Sequence, residues 1–426
     1  MDLRRNLPLL IVVCFLSQMG GFMILPLFPL FIDGLGLSSW TMGIIFAMFY
    51  VGKVIGGMPA AGLYRKTGGK TSLILMLLML ALCMAGFAMA SSALLLGLLR
   101  LLQGLASTGL TVTVRSIIGD GGSEHNRGLY NGYISSSEGG GMVLGPVVSG
   151  WLALHFPPSV PFWLVTVCCL VAMLAAMAIR NTTTSSKADA GSSSKVDAAM
   201  LPAAASPSPA SFTETDESAN RAGLRGELTP SQQLFGYSLV HFLEMSAYAV
   251  FLTYFALYAT HIMQWNSFSI SLAFTVVGIS TLAAAPLAGY LSDRMGDRLL
   301  LCMLGMLFIG VEVAVFLTTS SYVWVYLGML IGGVGGACYM DSFFAHIGDH
   351  IPETGRSEAI GKIVSAAEIG SIVSPLIAAL LAEAGSLYAV FWFNLALIGA
   401  AITVQAFMRK QLRTEHLSSE NARSKQ

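Results

Sequence analysis

Long apolar stretches separated by short polar connections follow one another along almost the whole chain. A helix needs about 20 apolar residues to cross roughly 30 Å of hydrocarbon, and twelve stretches of the chain reach that size. They are residues 7–32, 40–62, 71–91, 93–118, 128–153, 160–179, 232–259, 267–291, 299–319, 322–347, 357–382 and 386–408. The pattern predicts an all-α integral membrane protein with twelve transmembrane helices.

One interval of the chain breaks this pattern. Residues 181–230 are rich in Ser, Thr, Ala and Pro and contain almost no large apolar side chains. Such a segment cannot bury enough surface to fold by itself, so we predict a disordered cytoplasmic linker there. The remaining chain is then divided into an N-terminal six-helix bundle, residues 1–180, a C-terminal six-helix bundle, residues 231–410, and a cytoplasmic tail, residues 411–426.

The two halves share a set of residues at a constant spacing. The segments "IGDGGSEHNRG" and "IGDHIPETGRS" begin 229 residues apart, and the same offset recurs outside them. The matched pairs are Gly104 and Gly333, Asp120 and Asp349, Arg127 and Arg356, Gly132 and Gly361, and Pro146 and Pro375. A repeat of six spans plus six spans is typical of carriers whose two bundles rock about a shared central site.

The distribution of charge predicts the orientation of the spans, and the composition gives no reason to expect nucleic-acid partners, disulfides or a metal site. Only 11% of residues are charged, and Lys and Arg lie in alternate connections between spans. The positive-inside rule therefore predicts that both termini are cytoplasmic in a cell (inner or plasma) membrane. A net charge of zero gives no reason to expect nucleic acid as a partner. All six cysteines lie inside predicted spans, so we expect neither a disulfide framework nor a metal site.

The fifth predicted span contains an unusual run of glycines, "GYISSSEGGGMVLGPVVSG", at residues 132–150. Gly141, Gly145 and Ser149 recur at every fourth position and form one small-residue groove, along which another helix can approach closely. A tight, kinked contact between the two halves of the chain explains these residues. It does not explain Glu138, an ionisable side chain close to the same face.

A second pattern occurs in the connections between spans two and three and between spans eight and nine. The latter reads "GYLSDRMGDR", and its spaced residues are Gly289, Asp293, Arg294, Gly296 and Arg298. The former reads "GLYRKTGGKT", in which Lys66 occupies the acidic position.

These motifs resemble those of the major facilitator superfamily. The loop pattern is similar to the superfamily's Gly-x-x-x-Asp-Arg-x-Gly-x-Arg/Lys signature. The fifth span resembles the Gly-x8-Gly-x3-Gly-Pro-x2-Gly-Gly motif of the twelve-helix drug:proton antiporters. Its residues here are Gly132, Gly141, Gly145, Pro146 and Gly150, with Ser149 in place of one glycine. The stretch "RLLQG" in the fourth span resembles the motif that places an arginine and a glutamine, here Arg100 and Gln103, in the transport cavity of that family.

The resemblance implies the major facilitator fold, two pseudo-symmetric six-helix bundles, and transport by alternating access. It also implies that spans one, four, seven and ten line the cavity and that two, five, eight and eleven flank it. Spans three, six, nine and twelve are expected to face lipid or scaffold, so Glu312 in the ninth span is interpreted as structural.

Ionisable side chains at bilayer depth cost roughly 2.5 to 3.5 kcal/mol on insertion scales, so each needs a partner, a wet cavity or a proton. The candidates for proton coupling are Glu138, Glu244, Asp341 and Glu368. The candidates for lining the substrate cavity are Lys53, Arg100, Gln103, His241 and Tyr248. Lys53 and Arg100 are possible partners either of these carboxylates or of an anionic substrate group. For every one of these residues, the alternative is a structural ion pair or hydrogen bond.

A cytoplasmic gate is a further hypothesis. Asp120 and Arg127 in one half, and Asp349 and Arg356 in the other, form two acid-and-base loops that could latch the bundles together with the loop signature at Asp293. The alternative is a pair of solvated loops whose ion pairs contribute less than about 1 kcal/mol each.

The sequence therefore favours a secondary transporter that exports a small organic molecule, a drug-like compound or a metabolite, in exchange for protons. The alternatives are an uptake carrier or facilitator for a nutrient or metabolite, and a receptor or scaffold that does not transport. No nucleotide-binding signature or catalytic constellation occurs in the sequence, so we expect neither an enzyme nor a cofactor. The expected partners are the substrate, protons and the lipid bilayer, with the protein working as a monomer.

Overall fold

The structure is a computed structural model that describes residues 3–121, 124–179, 230–351 and 356–423. Side chains are described over residues 6–121, 129–179, 231–351 and 358–412, and at Arg356. The predicted linker, apart from Pro230, and the side chain of Arg127 lie outside the described residues.

All regular structure in the described residues is α-helical. The helices are α1 (Leu3–Ile24), α2 (Phe28–Gly34), α3 (Ser39–Thr67), α4 (Gly69–Met89), α5 (Ala93–Gly121), α6 (Glu124–His155), α7 (Val160–Ala178), α8 (Pro230–His261), α9 (Ser267–Met295), α10 (Arg298–Thr318), α11 (Tyr322–His350), α12 (Arg356–Ala384) and α13 (Leu387–Arg423). Helices α1 and α2 together form the first predicted span, and each later helix corresponds to one further span. The prediction of an all-α membrane fold is confirmed.

Eleven spans in the described residues are long and apolar enough to cross a membrane. The fifth predicted span, α6, is not among them, although it is 32 residues long. Its sequence is rich in glycine and serine and carries Glu138, so it is less apolar than its neighbours.

The first span is two helices rather than one. The chain leaves α1 after Ile24, turns through residues 25–27 and re-enters a helix at Phe28. Pro26 has no N–H to donate to the preceding turn, and Pro29 lies in the first turn of α2, where a missing N–H is not needed. The two prolines therefore divide the span.

Several helices extend beyond the apolar windows that predicted them. Helix α13 continues to Arg423, so most of the predicted tail from residue 411 onwards is helical. Hydropathy marks only the part of a helix inside the membrane, and Gln, Leu, Arg and Glu in this stretch are good helix formers that continue it into water.

The chain divides into two compact units. The first unit contains the helices of residues 3–179 together with Leu252–Gly278 and Ala382–Ala384. The second unit contains the remaining described residues of α8, α9 and α12 together with α10, α11 and α13.

Close backbone contacts organise each unit. In the first, Gly104 of α5 lies against the backbone of α3 at Phe49 and Lys53. In the second, the carbonyl oxygen of Gly333 on α11 accepts a hydrogen bond from the hydroxyl of Thr281 on α9, at 3.1 Å. Gly104 and Gly333 are one of the matched pairs of the sequence repeat. The same position therefore contacts the equivalent neighbouring span in both repeats.

Polar contacts tie helix ends together within the first unit. His261 at the end of α8 lies 2.8 Å, Nε2 to Oδ2, from Asp33 in α2. The backbone N–H of Trp40 in α3 donates a hydrogen bond of 2.9 Å to Glu383 of α12. By the predicted orientation, these contacts are on the side of the membrane away from the cytoplasm.

Candidate functional site

The glycine groove of α6 lies directly against α1. A Cβ atom at Gly141 would be 2.6 Å from the carbonyl oxygen of Phe15, and one at Gly145 would be 2.5 Å from that of Met19. Only a residue without a side chain permits such an approach. Pro146 follows within α6, and its carbonyl accepts a 2.9 Å hydrogen bond from the buried hydroxyl of Ser149.

The ends of the glycine motif behave differently from each other. A Cβ at Gly150 would meet Ser271 and Phe268 of α9, which belongs to the same unit over this stretch. A Cβ at Gly132 would meet no described atom within 4 Å. The motif is therefore in close contact with α1 at Gly141 and Gly145 and with α9 at Gly150. Gly132 takes part in neither contact among the described residues.

Glu138 pairs with an arginine that we did not identify from the sequence. Its Oε2 atom lies 3.0 Å from Nη2 of Arg115 on α5, and the two side chains are 23% and 22% exposed. Arg115 also donates a hydrogen bond of 2.9 Å through Nη1 to Oδ1 of Asn131. The sequence did contain a signal, because Arg115 lies within the fourth apolar window, where a charge requires a partner.

The structure gives contacts for the two cationic residues that were predicted to line the cavity, Arg100 and Lys53. Arg100 is buried and donates a 3.0 Å hydrogen bond to Oε1 of Gln103, so the two polar residues of "RLLQG" do interact. Its guanidinium carbon lies 3.7 Å from the ring centroid of Phe28 and 4.8 Å from that of Phe46. Among the described residues, its Nε and Nη2 atoms have no hydrogen-bond partner. Lys53 lies on α3 beside the ring of Tyr50.

In the second unit, Glu244 is part of a buried polar cluster between α8 and α11. Nδ1 of His241 lies 3.3 Å from Oε2 of Glu244 and 3.3 Å from the hydroxyl of Tyr339. Glu244 is 9% exposed and His241 is 4% exposed. Tyr248 follows one turn later on α8 and is partly exposed. We did not identify Tyr339 from the sequence.

A second polar cluster lies between the same two helices. The hydroxyl of Tyr237 on α8 is 3.1 Å from Nε2 of His346 on α11, and both side chains are buried. The ring of His350, at the end of α11, lies 4.0 Å from that of His346, centroid to centroid. The other two candidate acids, Asp341 on α11 and Glu368 on α12, are half-buried.

The loop signature of the second repeat forms an ion-pair network around Arg298. Its Nε atom is 2.8 Å from Asp349 and its Nη2 atom is 3.2 Å from Asp293. Gly296 has a φ of +65°, a conformation that L residues with side chains rarely adopt. Arg294 lies instead over the ring of Tyr290, and a Cβ at Gly289 would meet no described atom within 4 Å.

Three members of the predicted acid-and-base loops have contacts among the described residues. Asp349 pairs with Arg298, whereas Nε of Arg356 donates a hydrogen bond of 3.1 Å to the carbonyl of Ile351. In the first repeat, where Lys66 replaces the acid, the hydroxyl of Tyr64 donates a 2.6 Å hydrogen bond to Asp120. A hydrogen bond from the neutral hydroxyl of Tyr64 to Asp120 thus stands where the second repeat has an ion pair between Arg298 and Asp349.

Membrane-length helices in two sequence repeats, with ionisable side chains inside the spans, are typical of a membrane transporter. The chain belongs to the Major Facilitator Superfamily, whose family model matches residues 10–236 and 234–426.

Among similar proteins, the tetracycline resistance protein, class H, of Pasteurella multocida is 22% identical over 433 aligned positions, covering 97% of this chain and 98% of that protein. The bacillibactin exporter of Bacillus subtilis is 34% identical over 125 residues, 28% of this chain and 31% of that protein. The multidrug resistance protein MdtG of Salmonella paratyphi A is 28% identical over 159 residues, covering 36% of this chain and 39% of that protein.

Solved structures share the fold at low sequence identity. A crystal structure of a point mutant of the nucleoside transporter NupG has a TM-score of 0.74 and 12% identity, and covers 95% of this chain and 99% of that chain. A bacterial homologue of the human lysosomal transporter Spinster has a TM-score of 0.73 and 15% identity, and covers 96% and 97% of the two chains. At such identities the likeness shows the fold alone.

Proposed function

We propose that this protein exports a small organic molecule in exchange for protons, with the carboxylate of Glu138 as one of the groups that bind the proton. The observation that carries the proposal is the ion pair between Glu138 and Arg115, because it lies one turn from the glycine groove of α6 and is still partly exposed. The names of the similar exporters and resistance proteins support the direction of transport.

The chemistry follows from the charges of the pair. An ionised Glu138 neutralises Arg115 and stabilises its position beside Asn131. Protonation of the carboxyl removes that attraction and leaves a cation without its counter-charge inside the span, which is costly. Proton binding therefore favours a different arrangement of α5 and α6, and this dependence couples proton movement to a conformational change.

A proteoliposome experiment tests the proposal. Purified protein is reconstituted, a pH gradient is imposed, and uptake of two fluorescent probes, tetracycline and ethidium, is followed with and without nigericin to collapse the gradient. We expect gradient-dependent accumulation of at least one probe by the wild-type protein.

The variants Glu138→Gln and Arg115→Gln are expected to abolish this accumulation. Glu358→Gln is the matched control, since it removes the carboxylate of an exposed ion pair, with Lys362, on α12. Full gradient-driven transport by Glu138→Gln would contradict the assignment. Exchange of the probes without dependence on the gradient would instead identify a facilitator.

A further inference from the structure

The polar side chains between α8 and α11 are arranged in one column. On α8 the residues Tyr237, His241 and Glu244 follow one another at spacings of four and three, so they share a helix face. On α11 the residues Tyr339, Phe343 and His346 are spaced in the same way, with His350 four further on. The helices run in opposite directions along this contact, so Tyr237 meets His346 and His241 meets Tyr339.

The column connects an exposed end with a buried end. His350 is exposed in the last turn of α11, which is predicted to face the cytoplasm, and His346 behind it is 5% exposed. Glu244 lies seven residues beyond Tyr237, or roughly 10 Å further along α8 at 1.5 Å per residue. The order from outside to inside is therefore His350, His346, Tyr237, His241 and Glu244.

The geometry points to a proton relay, in which His346 and Tyr237 carry protons between the cytoplasmic end of α11 and the pair of Glu244 and His241. This inference deepens the proposed proton-coupled function and rests on it. It assigns a role to residues of α8 and α11 that the proposal for Glu138 and Arg115 does not use.

Each step of the relay has a donor and an acceptor. The O–H bond of protonated Glu244 breaks as an N–H bond forms at Nδ1 of His241, 3.3 Å away. His241 then loses the proton on Nε2 through a water to Tyr237, whose own hydroxyl proton passes to Nε2 of His346 across 3.1 Å. His346 releases its Nδ1 proton towards His350, so one proton moves, Glu244 becomes a carboxylate and the relay groups end neutral.

Phe343 separates the two halves of the column. Its ring stacks on Tyr339 at 5.2 Å and lies 5.3 Å from the ring of His241, both measured between centroids. Tyr237 and His241 are four residues apart on α8, about one turn, and a single water can bridge that interval.

Further ionisable side chains lie close to the relay and act electrostatically on its members. Asp297 and Arg298, at the start of α10, lie close enough to His346 to act on its charge, in addition to His350 on its own helix. Glu244 and Cys302 act in the same way on Tyr339. The relay must therefore be tested with substitutions that leave these neighbours in place.

The test is a stopped-flow pH jump on the purified full-length protein in lipid nanodiscs, with phenol red reporting proton uptake. The substitutions D33C and H261C, joined by a short bismaleimide, hold together the ends of α2 and α8 that are predicted to lie away from the cytoplasm. Protons then enter from the cytoplasmic end. Glu244→Gln identifies the kinetic phase that belongs to the Glu244 carboxylate by removing it.

In that phase, His346→Gln and Tyr237→Phe are each expected to slow proton uptake about a hundredfold, the lower end of what a positioned proton donor or acceptor contributes. The number of protons taken up in the phase stays the same. Tyr237→Phe removes a single oxygen atom, so it keeps the packing. His155→Gln, an exposed histidine on α6, is the matched control and leaves the rate unchanged.

Three outcomes would overturn the relay. An unchanged rate in either variant would show that protons take another route. A loss of amplitude together with a lowered unfolding temperature would show a structural role. If Glu244→Gln removes no phase at all, the relay has no terminal acceptor. That last result says nothing against Glu138, which the proteoliposome experiment tests separately.

Discussion

Substitution of Gly145 by alanine gives a direct measure of how closely α6 packs on α1. The new Cβ would lie 2.5 Å from the carbonyl oxygen of Met19 and 2.9 Å from the N atom of Met23. Ordinary contact begins at 3.4 Å, so the two backbones would have to separate by about 0.9 Å in a close-packed interior. Backbone atoms cannot rotate away as a side chain can, and overpacking of this kind costs about 1–3 kcal/mol.

Gly132→Ala is the matched control on the same helix. Its Cβ meets no described atom within 4 Å, and alanine stabilises a helix by roughly 0.5–1 kcal/mol relative to glycine. The two substitutions are chemically identical and belong to the same motif, but they should have opposite effects on stability.

The assay is thermal unfolding followed with a maleimide dye that fluoresces after reaction with thiols. The six cysteines are free and buried in the described structure, so the dye reports their exposure on unfolding. Gly145→Ala is expected to unfold at a lower temperature than the wild-type protein, and Gly132→Ala at the same or a higher temperature. Equal unfolding temperatures for the two variants would refute the packing argument.

Three further predictions concern other contacts. Tyr64→Phe removes the hydrogen bond to Asp120 and should destabilise the protein by about 1 kcal/mol, whereas an unchanged unfolding temperature would show that the bond contributes nothing. Gly332→Ala places a Cβ onto the carboxyl of Glu312 and should lower the unfolding temperature, while Gly336→Ala on the same helix, where no described atom lies within 4 Å, should not. In the folded protein below its unfolding temperature, none of the cysteines should react with maleimide within minutes, and mass spectrometry that finds rapid labelling would contradict their burial.

Much of the fold could be predicted because hydrophobicity determines which segments enter the membrane. The twelve apolar windows correspond to the observed helices, including α6, whose glycines reduce its hydropathy. The close packing of α6 was also predictable, but we expected its glycines to meet the other half of the chain. Gly141 and Gly145 instead meet α1 of the same half, whereas Gly150 meets α9 of the other half. Residues spaced by four share one helix face, so Gly141 and Gly145 had to face the same neighbour.

The partners of the buried charges could not be predicted from the sequence. Which side chains meet across two helices depends on the rotation and the register of each helix, and apolar patterning fixes neither closely. We considered Lys53 and Arg100 as partners for the carboxylates, but Arg115 is the residue that pairs with Glu138. Arg100 instead contacts Gln103 and aromatic rings.

The contact between α8 and α11 was partly visible in the sequence. The spacing of Tyr237, His241 and Glu244 indicates one polar helix face, and we recognised only the last two residues. His346 lies in the tenth span, where an ionisable side chain requires an explanation just as Asp341 does. Its pairing with Tyr237 required the structure, because two separate spans provide the two atoms.

Protonation of the two carboxylates can be followed in the pH-difference infrared spectrum of the purified protein, in the region of the carbonyl stretch of protonated carboxylic acids. We expect a band that appears on acidification in the wild-type protein, loses intensity in Glu138→Gln and in Glu244→Gln, and loses more in the double variant. Spectra that are identical for all four proteins would mean that neither carboxylate takes up a proton, so that neither Glu138 nor Glu244 couples transport to protons.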